Sequence, residues 1–111
     1  MGLLHILKRN GIEKLVEQAA GIPGSVLVDV RGPEEYVAGH IPGSINVPLN
    51  ALEGILDAAP EPGTAIYLYC LSGARSAVAA ARLRKMGYAR VTDMGGIRNW
   101  KGEIETGGTR E

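Results

Sequence analysis

The chain has 111 residues, with twelve basic and twelve acidic side chains and a single cysteine. That length suits one domain, able to bury roughly two-thirds of its unfolded surface. The balanced charge gives no global attraction to nucleic acid or to anionic membranes, so any anion preference must be local.

One cysteine excludes an internal disulfide framework, a cysteine-rich zinc site and an internal resolving thiol. The stretch Met1 to Leu7 is short and is followed, not preceded, by Lys8 and Arg9, unlike a signal peptide. No apolar run reaches membrane-spanning length. A cytoplasmic protein with a reduced thiol is expected. Phe is absent and glycines number sixteen, so the core should be aliphatic and the turns tight.

In chain order, Met1 to Lys8 fits either a short strand or a helix edge. Gly11 to Ala20 carries Ile12, Leu15, Val16 and Ala19 at helical spacing. Gly21 to Gly24 breaks the chain. Ser25 to Val30 reads as a strand, apolar except for Asp29. Pro33 suits the first position of a short helix, Glu34 and Glu35 suit its positive end, and Gly39 its C-terminal cap. His40 to Gly43 is a turn into a short strand, Ser44 to Val47. Asn50 is expected to cap a helix through about Ala58, with Glu53 completing a capping-box start. Pro60 to Gly63 breaks again. Ala65 to Tyr69 is a buried strand. The helix after it should present Ala74, Ala77, Val78 and Ala81 to the sheet, with Arg82, Arg84 and Lys85 at its C-terminus. Gly87 stops it. Arg90 to Met94 is a fourth strand, and Gly95-Gly96 turns into a short helix near Ile97 to Lys101. The tail, Gly102 to Glu111, is polar and glycine-rich, loose at its end. Strands alternating with helices imply parallel strands with helices on both faces of one sheet.

One passage organises the rest. Cys70 follows the Ala65–Tyr69 strand directly, and a short loop around Gly73 opens the alanine-rich helix. Ligands of such folds bind outside the C-terminal ends of the strands. The first amides of a helix lack intrahelical partners, and with the helix dipole they favour negative charge. Gly73 can take backbone angles that aim several amides at one centre. A cysteine so placed is more thiolate-like than a free thiol. Arg75 adds a permanent charge and a planar fork suited to oxyanions. The residues describe a nucleophilic sulfur facing a small anion-binding cradle. A strand-end cysteine that merely fills space would need neither Gly73 nor Arg75.

Three passages together resemble the rhodanese-homology family. They are Leu27-Val28-Asp29-Val30-Arg31 with Glu34-Glu35-Tyr36 and Gly39 to Pro48; Tyr69 to Ser76; and Gly95 to Trp100. The likeness runs from about residue 12 to 107, in family order, as one domain occupying 1–111. It implies an α/β, rhodanese-like three-layer fold with a central, mainly parallel sheet. It also implies thiosulfate sulfurtransferase-like chemistry. Cys70 would take the sulfane sulfur of a small anionic donor such as thiosulfate, hold it as a persulfide, and pass it to cyanide, a thiol or a protein. The loop Leu71, Ser72, Gly73, Ala74, Arg75 and Ser76 would bind the substrate and stabilise the sulfur anion. Asp29 and Arg31, at the other strand end, and His40 would support the site from behind. The residues themselves favour structural roles for these three. Asp29 would accept backbone hydrogen bonds, Arg31 would pair with Glu34 or Glu35, and His40 would be held in its turn. No metal-ligand spacing and no nucleotide-binding glycine motif is present, so no cofactor is expected.

Two alternatives stand beside this. A sulfur-relay or protein-interaction module would use the same loop with a protein as acceptor. A cysteine-dependent phosphatase would also place Cys and Arg around an oxyanion. Its loop resembles His-Cys with the arginine one position further on. Here Tyr69 precedes Cys70, and only Leu71 to Ala74 separate Cys70 from Arg75, a cradle better sized for sulfur than for a phosphoryl group.

Overall fold

The computed structural model describes residues 11–108. The Met1–Lys8 segment, with its strand-or-helix reading, lies outside that range. Four strands form one sheet: β1 (Val26–Asp29), β2 (Ile45–Asn46), β3 (Ile66–Cys70) and β4 (Val91–Gly96). Their spatial order is β2-β1-β3-β4, and every neighbouring pair is parallel. The chain runs outward from β1 to β2, then crosses back to β3 on the other side of β1. The carboxyl ends of β1 and β3 therefore flank the point where the winding reverses, the usual ligand position in such sheets.

Helices cover both faces, as the alternation of elements implies. Side chains of a strand alternate between faces. Val28, Ile66, Leu68 and Cys70 point to one side, where they pack with Leu52, Ile55, Ala79, Ala80 and Leu83. Tyr67 and Tyr69 point to the other, against Ile12, Ala19, Ile41 and Met94. The first layer comes from α4 (Ala74–Lys85) and the short α3 (Ile55–Ala58), the second from α1 (Gly11–Ala20). Every residue of β3 is buried, as expected for an inner parallel strand covered on both faces. The helix α2 (Pro33–Ala38) begins at a proline and ends at Gly39. No helix among the described residues is long and apolar enough to cross a membrane.

Four expectations are corrected. Cys70 is the last residue of β3 rather than the residue after it. Gly95 and Gly96 complete β4 instead of turning out of it. The helix expected from Asn50 is a 3₁₀ segment, Leu49–Gly54, followed by α3, and Asn50 makes no capping hydrogen bond. The backbone breaks at Ala51 (φ −139°, ψ 41°), and the two short turns on either side bring Leu49, Leu52 and Ile55 to the core side. The buried face of α4 is Ser76, Ala79, Ala80 and Leu83, while Ala74, Ala77, Val78 and Ala81 face outward. Leu83, fully buried, is the large apolar anchor that sets the helix's rotation.

The tail is tied down at Glu105, whose backbone pairs antiparallel with His40. Residues 109–111 lie outside the described range.

The phase of α4 is checked by a matched pair of substitutions. Ala80→Gln, at a buried position, should lower the unfolding free energy by about 1–3 kcal/mol. Ala81→Gln, on the outer face, should change it by no more than about 0.5 kcal/mol. Urea denaturation followed by circular dichroism reads both, and the reverse order would restore the sequence-based face.

Candidate active site

Cys70 is almost fully buried at the carboxyl end of β3. The backbone N–H of Gly73 donates to its sulfur at 3.0 Å. Gly73 has φ +115°, in the left-handed region, which turns the chain sharply between strand and helix. Ser76 faces inward beneath the loop. The thiol donates to Ser76 Oγ at 3.5 Å, and the Ser76 hydroxyl donates to the Gly73 carbonyl at 3.1 Å. A hydroxyl rotates freely, so once the thiol ionises Ser76 can turn its proton to the sulfur. Burial alone pushes the Cys70 thiol up. The Ser76 hydroxyl and the backbone N–H groups of Ser76, Gly73 and Ser72 outweigh it, and the thiol is held below its ordinary value. An anion on this sulfur is met by donors already in place.

The loop lies directly on β4. A side chain at Gly96 would bring its Cβ within 2.2 Å of the Leu71 carbonyl oxygen, so only glycine admits this approach. The ladder between β3 and β4 is irregular just before the Cys70–Gly96 pair. Beyond β4, the N–H of Arg98 donates to the Leu71 carbonyl at 3.1 Å. The opening glycines of the third motif thus form the floor of the cysteine loop.

Arg75 is not free. Its Nη1 and Nη2 donate to Glu35 Oε1 and Oε2 at 2.8 and 3.1 Å. Glu35 Oε1 also accepts the N–H of Gly32 at 3.0 Å, at the start of α2. The Arg75 guanidinium, with that N–H and against a smaller cost of burial, lowers Glu35 from 4.5 to about 2. The pairing expected for Arg31 with Glu34 or Glu35 is therefore corrected. Arg31 pairs with Asp29 through Nε and Nη2, at 3.0 and 2.7 Å to Oδ2, and its Nη2 donates to the Gly39 carbonyl at 2.6 Å. Two residues apart on one strand end, Asp29 and Arg31 meet without any chain reversal, and the Arg31 N–H also donates to Asp29 Oδ1 at 2.9 Å. Asn46 donates to the Asp29 and Arg31 carbonyls, both at 2.9 Å, tying β2 to this pair.

His40 stacks on Tyr36 with ring centroids 3.8 Å apart. Its Nδ1 lies 2.7 Å from the Tyr36 carbonyl, which can only accept, so Nδ1 carries the proton. Its Nε2 is 3.7 Å from Glu105 Oε1. These contacts join α2 to the tail and do not reach the cysteine loop. The structure thus brings Cys70 and the Leu71–Ser76 loop together, and holds Asp29, Arg31 and His40 in a neighbouring polar framework. The pairing of Glu35 with Arg75 is what sequence reasoning missed, because the partner lies forty residues away.

A cleft of about 240 Å³ abuts Arg75 and Glu35, with apolar walls from Val30, Pro48 and Leu49. A larger cleft, about 700 Å³, lies at the opposite end of the sheet around Ser25, Val26 and Gly43, away from Cys70. Among the described residues no cluster of His, Cys, Asp or Glu could hold a metal ion.

A doubly wound parallel sheet with a thiol in an amide-lined loop at its winding reversal defines the class of protein. The rhodanese-like domain model matches residues 12–103, and the chain belongs to that family. It is 41% identical over 93 residues to the adenylyltransferase and sulfurtransferase uba4 of Ogataea parapolymorpha, covering 81% of this chain and 23% of that protein. It is 34% identical over 119 residues to the putative sulfur carrier protein YrkF of Bacillus subtilis, covering 93% of this chain and 63% of that one. The chain thus spans less than two thirds of either relative. Against the thiosulfate sulfurtransferase PspE of Escherichia coli it is 38% identical over 73 residues, covering 65% and 70%. Among solved structures, a rhodanese with anions from E. coli superposes with a TM-score of 0.70 at 34% identity, covering 75% of this chain and 99% of that one.

Two outcomes follow from the geometry. Ser76→Ala removes a hydroxyl donor, so the Cys70 thiol should titrate higher. Its alkylation by iodoacetamide at pH 7 should slow by roughly two- to tenfold, the worth of one hydrogen bond. An unchanged pH–rate curve would remove Ser76 from the sulfur's environment. The Glu35 carboxylate is depressed in the folded chain, so its contribution to stability is present above pH 4.5 and is lost as pH falls toward 2. With the Arg75 and Glu35 side chains 38% and 35% exposed, solvent screens the pair and the loss is small. Urea midpoints measured down this range should fall less steeply in Glu35→Gln than in the unsubstituted chain.

Proposed function

We propose that the chain is a sulfurtransferase that carries a sulfane sulfur as a persulfide on Cys70. The observation that carries this reading is the Cys70 sulfur itself, buried yet held toward the thiolate by loop amides and Ser76. The thiolate is the attacking form. With thiosulfate as donor, Cys70 Sγ attacks the outer sulfur. The new S–S bond forms as the old one breaks, and sulfite leaves with the electron pair. The persulfide anion then lies among the N–H groups that stabilised the thiolate. A thiophile such as cyanide attacks the outer sulfur, leaves as thiocyanate and restores the Cys70 thiolate. Atoms and electrons balance with no other reactant.

Asp29, Arg31 and His40 serve this chemistry only by holding the strand ends and the α2 connection. The likeness to PspE supports thiosulfate as a donor, and the likeness to YrkF supports a protein or small thiol as acceptor in a relay. A reactive free thiol suits a reducing compartment, and we assign the cytoplasm. Phosphoryl transfer fits less well. The Cys70-to-Arg75 spacing is short, and the Arg75 fork is already engaged by a carboxylate.

Intact mass before and after incubation with thiosulfate tests the proposal. The chain should gain one sulfur atom, lose it on adding cyanide, and gain nothing as Cys70→Ser. If neither thiosulfate nor an organic persulfide loads Cys70, the transferase reading fails.

A further inference from the structure

We infer that Glu35 sets the charge selectivity of the site, turning it from doubly charged donors toward singly charged or neutral sulfane donors. This rests on the sulfurtransferase reading above and names the substrate class for it. Arg75 is the one guanidinium within the Leu71–Ser76 loop, and its planar fork is the natural receptor for a sulfonate. Both of its Nη atoms already donate to Glu35, one to each carboxylate oxygen. A donor's oxyanion must displace that carboxylate to take the Nη1–Nη2 face of the fork. The carboxylate does not simply swing away, because Oε1 is also held by the N–H of Gly32 at the start of α2. If it stays, the pair presents no net charge and a dianion approaches a fixed negative group.

Arg31 offers no substitute, being consumed in the same way by Asp29 and the Gly39 carbonyl. What remains for the reacting sulfur is the set of loop amides with the Ser76 hydroxyl, which suit one negative charge on sulfur. The surroundings fit an organic donor. The cleft beside the pair has Val30, Pro48 and Leu49 in its walls, and Leu71 in the loop is exposed. An organic persulfide or a thiosulfonate can rest an apolar body there, whereas thiosulfate has none.

Two sulfane anions differing by one charge, thiosulfate and methanethiosulfonate, provide the test. Binding is measured at low salt by calorimetry in the Cys70→Ser chain, where no sulfur transfer occurs, with and without Glu35→Gln. Glutamine keeps an oxygen for the Gly32 N–H, so α2 retains its start. Removing one negative charge should help an anion in proportion to the anion's own charge. Thiosulfate should bind roughly tenfold tighter and methanethiosulfonate roughly threefold. Adding Arg75→Ala to the Glu35→Gln chain should then weaken binding, more for thiosulfate than for methanethiosulfonate. Equal gains for both anions, no gain, or an affinity of the Glu35→Gln chain that Arg75→Ala leaves unchanged would overturn the inference. Because this readout needs no reactive sulfur, a tighter-binding Glu35→Gln chain would uphold the charge latch even if Cys70 failed to load. In the intact-cysteine chain, Glu35→Gln should raise kcat/KM for thiosulfate more than for methanethiosulfonate.

Discussion

A sulfur anion buried at the end of a strand needs hydrogen-bond donors where water would have been. This requirement shapes everything around Cys70. Buried charge is costly unless fixed dipoles replace its hydration. Here the donors are the Ser76 hydroxyl and backbone N–H groups, none of which carries a net charge. Gly73 in the left-handed region lets them converge, and Gly96 lets the loop lie flat on β4. These two glycines do what no side chain could: one supplies a backbone angle, the other supplies room.

The second constraint is the treatment of full charges near the loop. Asp29 and Arg31 are buried and neutralise each other, while Asn46 ties their carbonyls to β2. Arg75 and Glu35 do the same at the rim, half in solvent. The inner pair fixes the strand ends, since losing either partner would strand a buried charge. The outer pair is screened and exchangeable, which makes it a place where a ligand can compete. The same chemistry thus serves as framework at one depth and as a selective element at another.

Much of this is legible from the residues in order. The four strands, the proline-led α2 and the strand–loop–helix passage at Cys70 are local patterns, set by neighbours within a few positions. What stays hidden depends on distant partners or on competition between local signals. Nothing near Glu35 points to Arg75, and Arg31 looks equally able to take it. Asp29, two residues from Arg31 on the same strand end, takes that guanidinium instead. Asn50 has the chemistry of a helix cap, but the chain breaks at Ala51 and packs Leu49, Leu52 and Ile55 on the core from two short turns instead. Gly95-Gly96 reads as a turn from composition, yet the loop above Gly96 needs a bare backbone within the strand.

The rotation of α4 connects the core to the chemistry. A run of alanines gives no strong preference for one face, so small size alone suggests Ala74, Ala77 and Ala81. Leu83 breaks the tie, because leaving it exposed would forfeit about 1.5–3 kcal/mol of burial. Once Leu83 faces the sheet, the helical repeat brings Ala80, Ala79 and Ser76 to the same side. Ser76 then lies beneath Cys70, the sole hydroxyl on a buried face otherwise made of Ala and Leu. Had the helix turned to its alanine face, Ser76 would point to solvent and the sulfur would lose its side-chain donor. A leucine near one end of the helix thereby orients the serine in its first turn, and hydrophobic packing decides how easily the thiol gives up its proton.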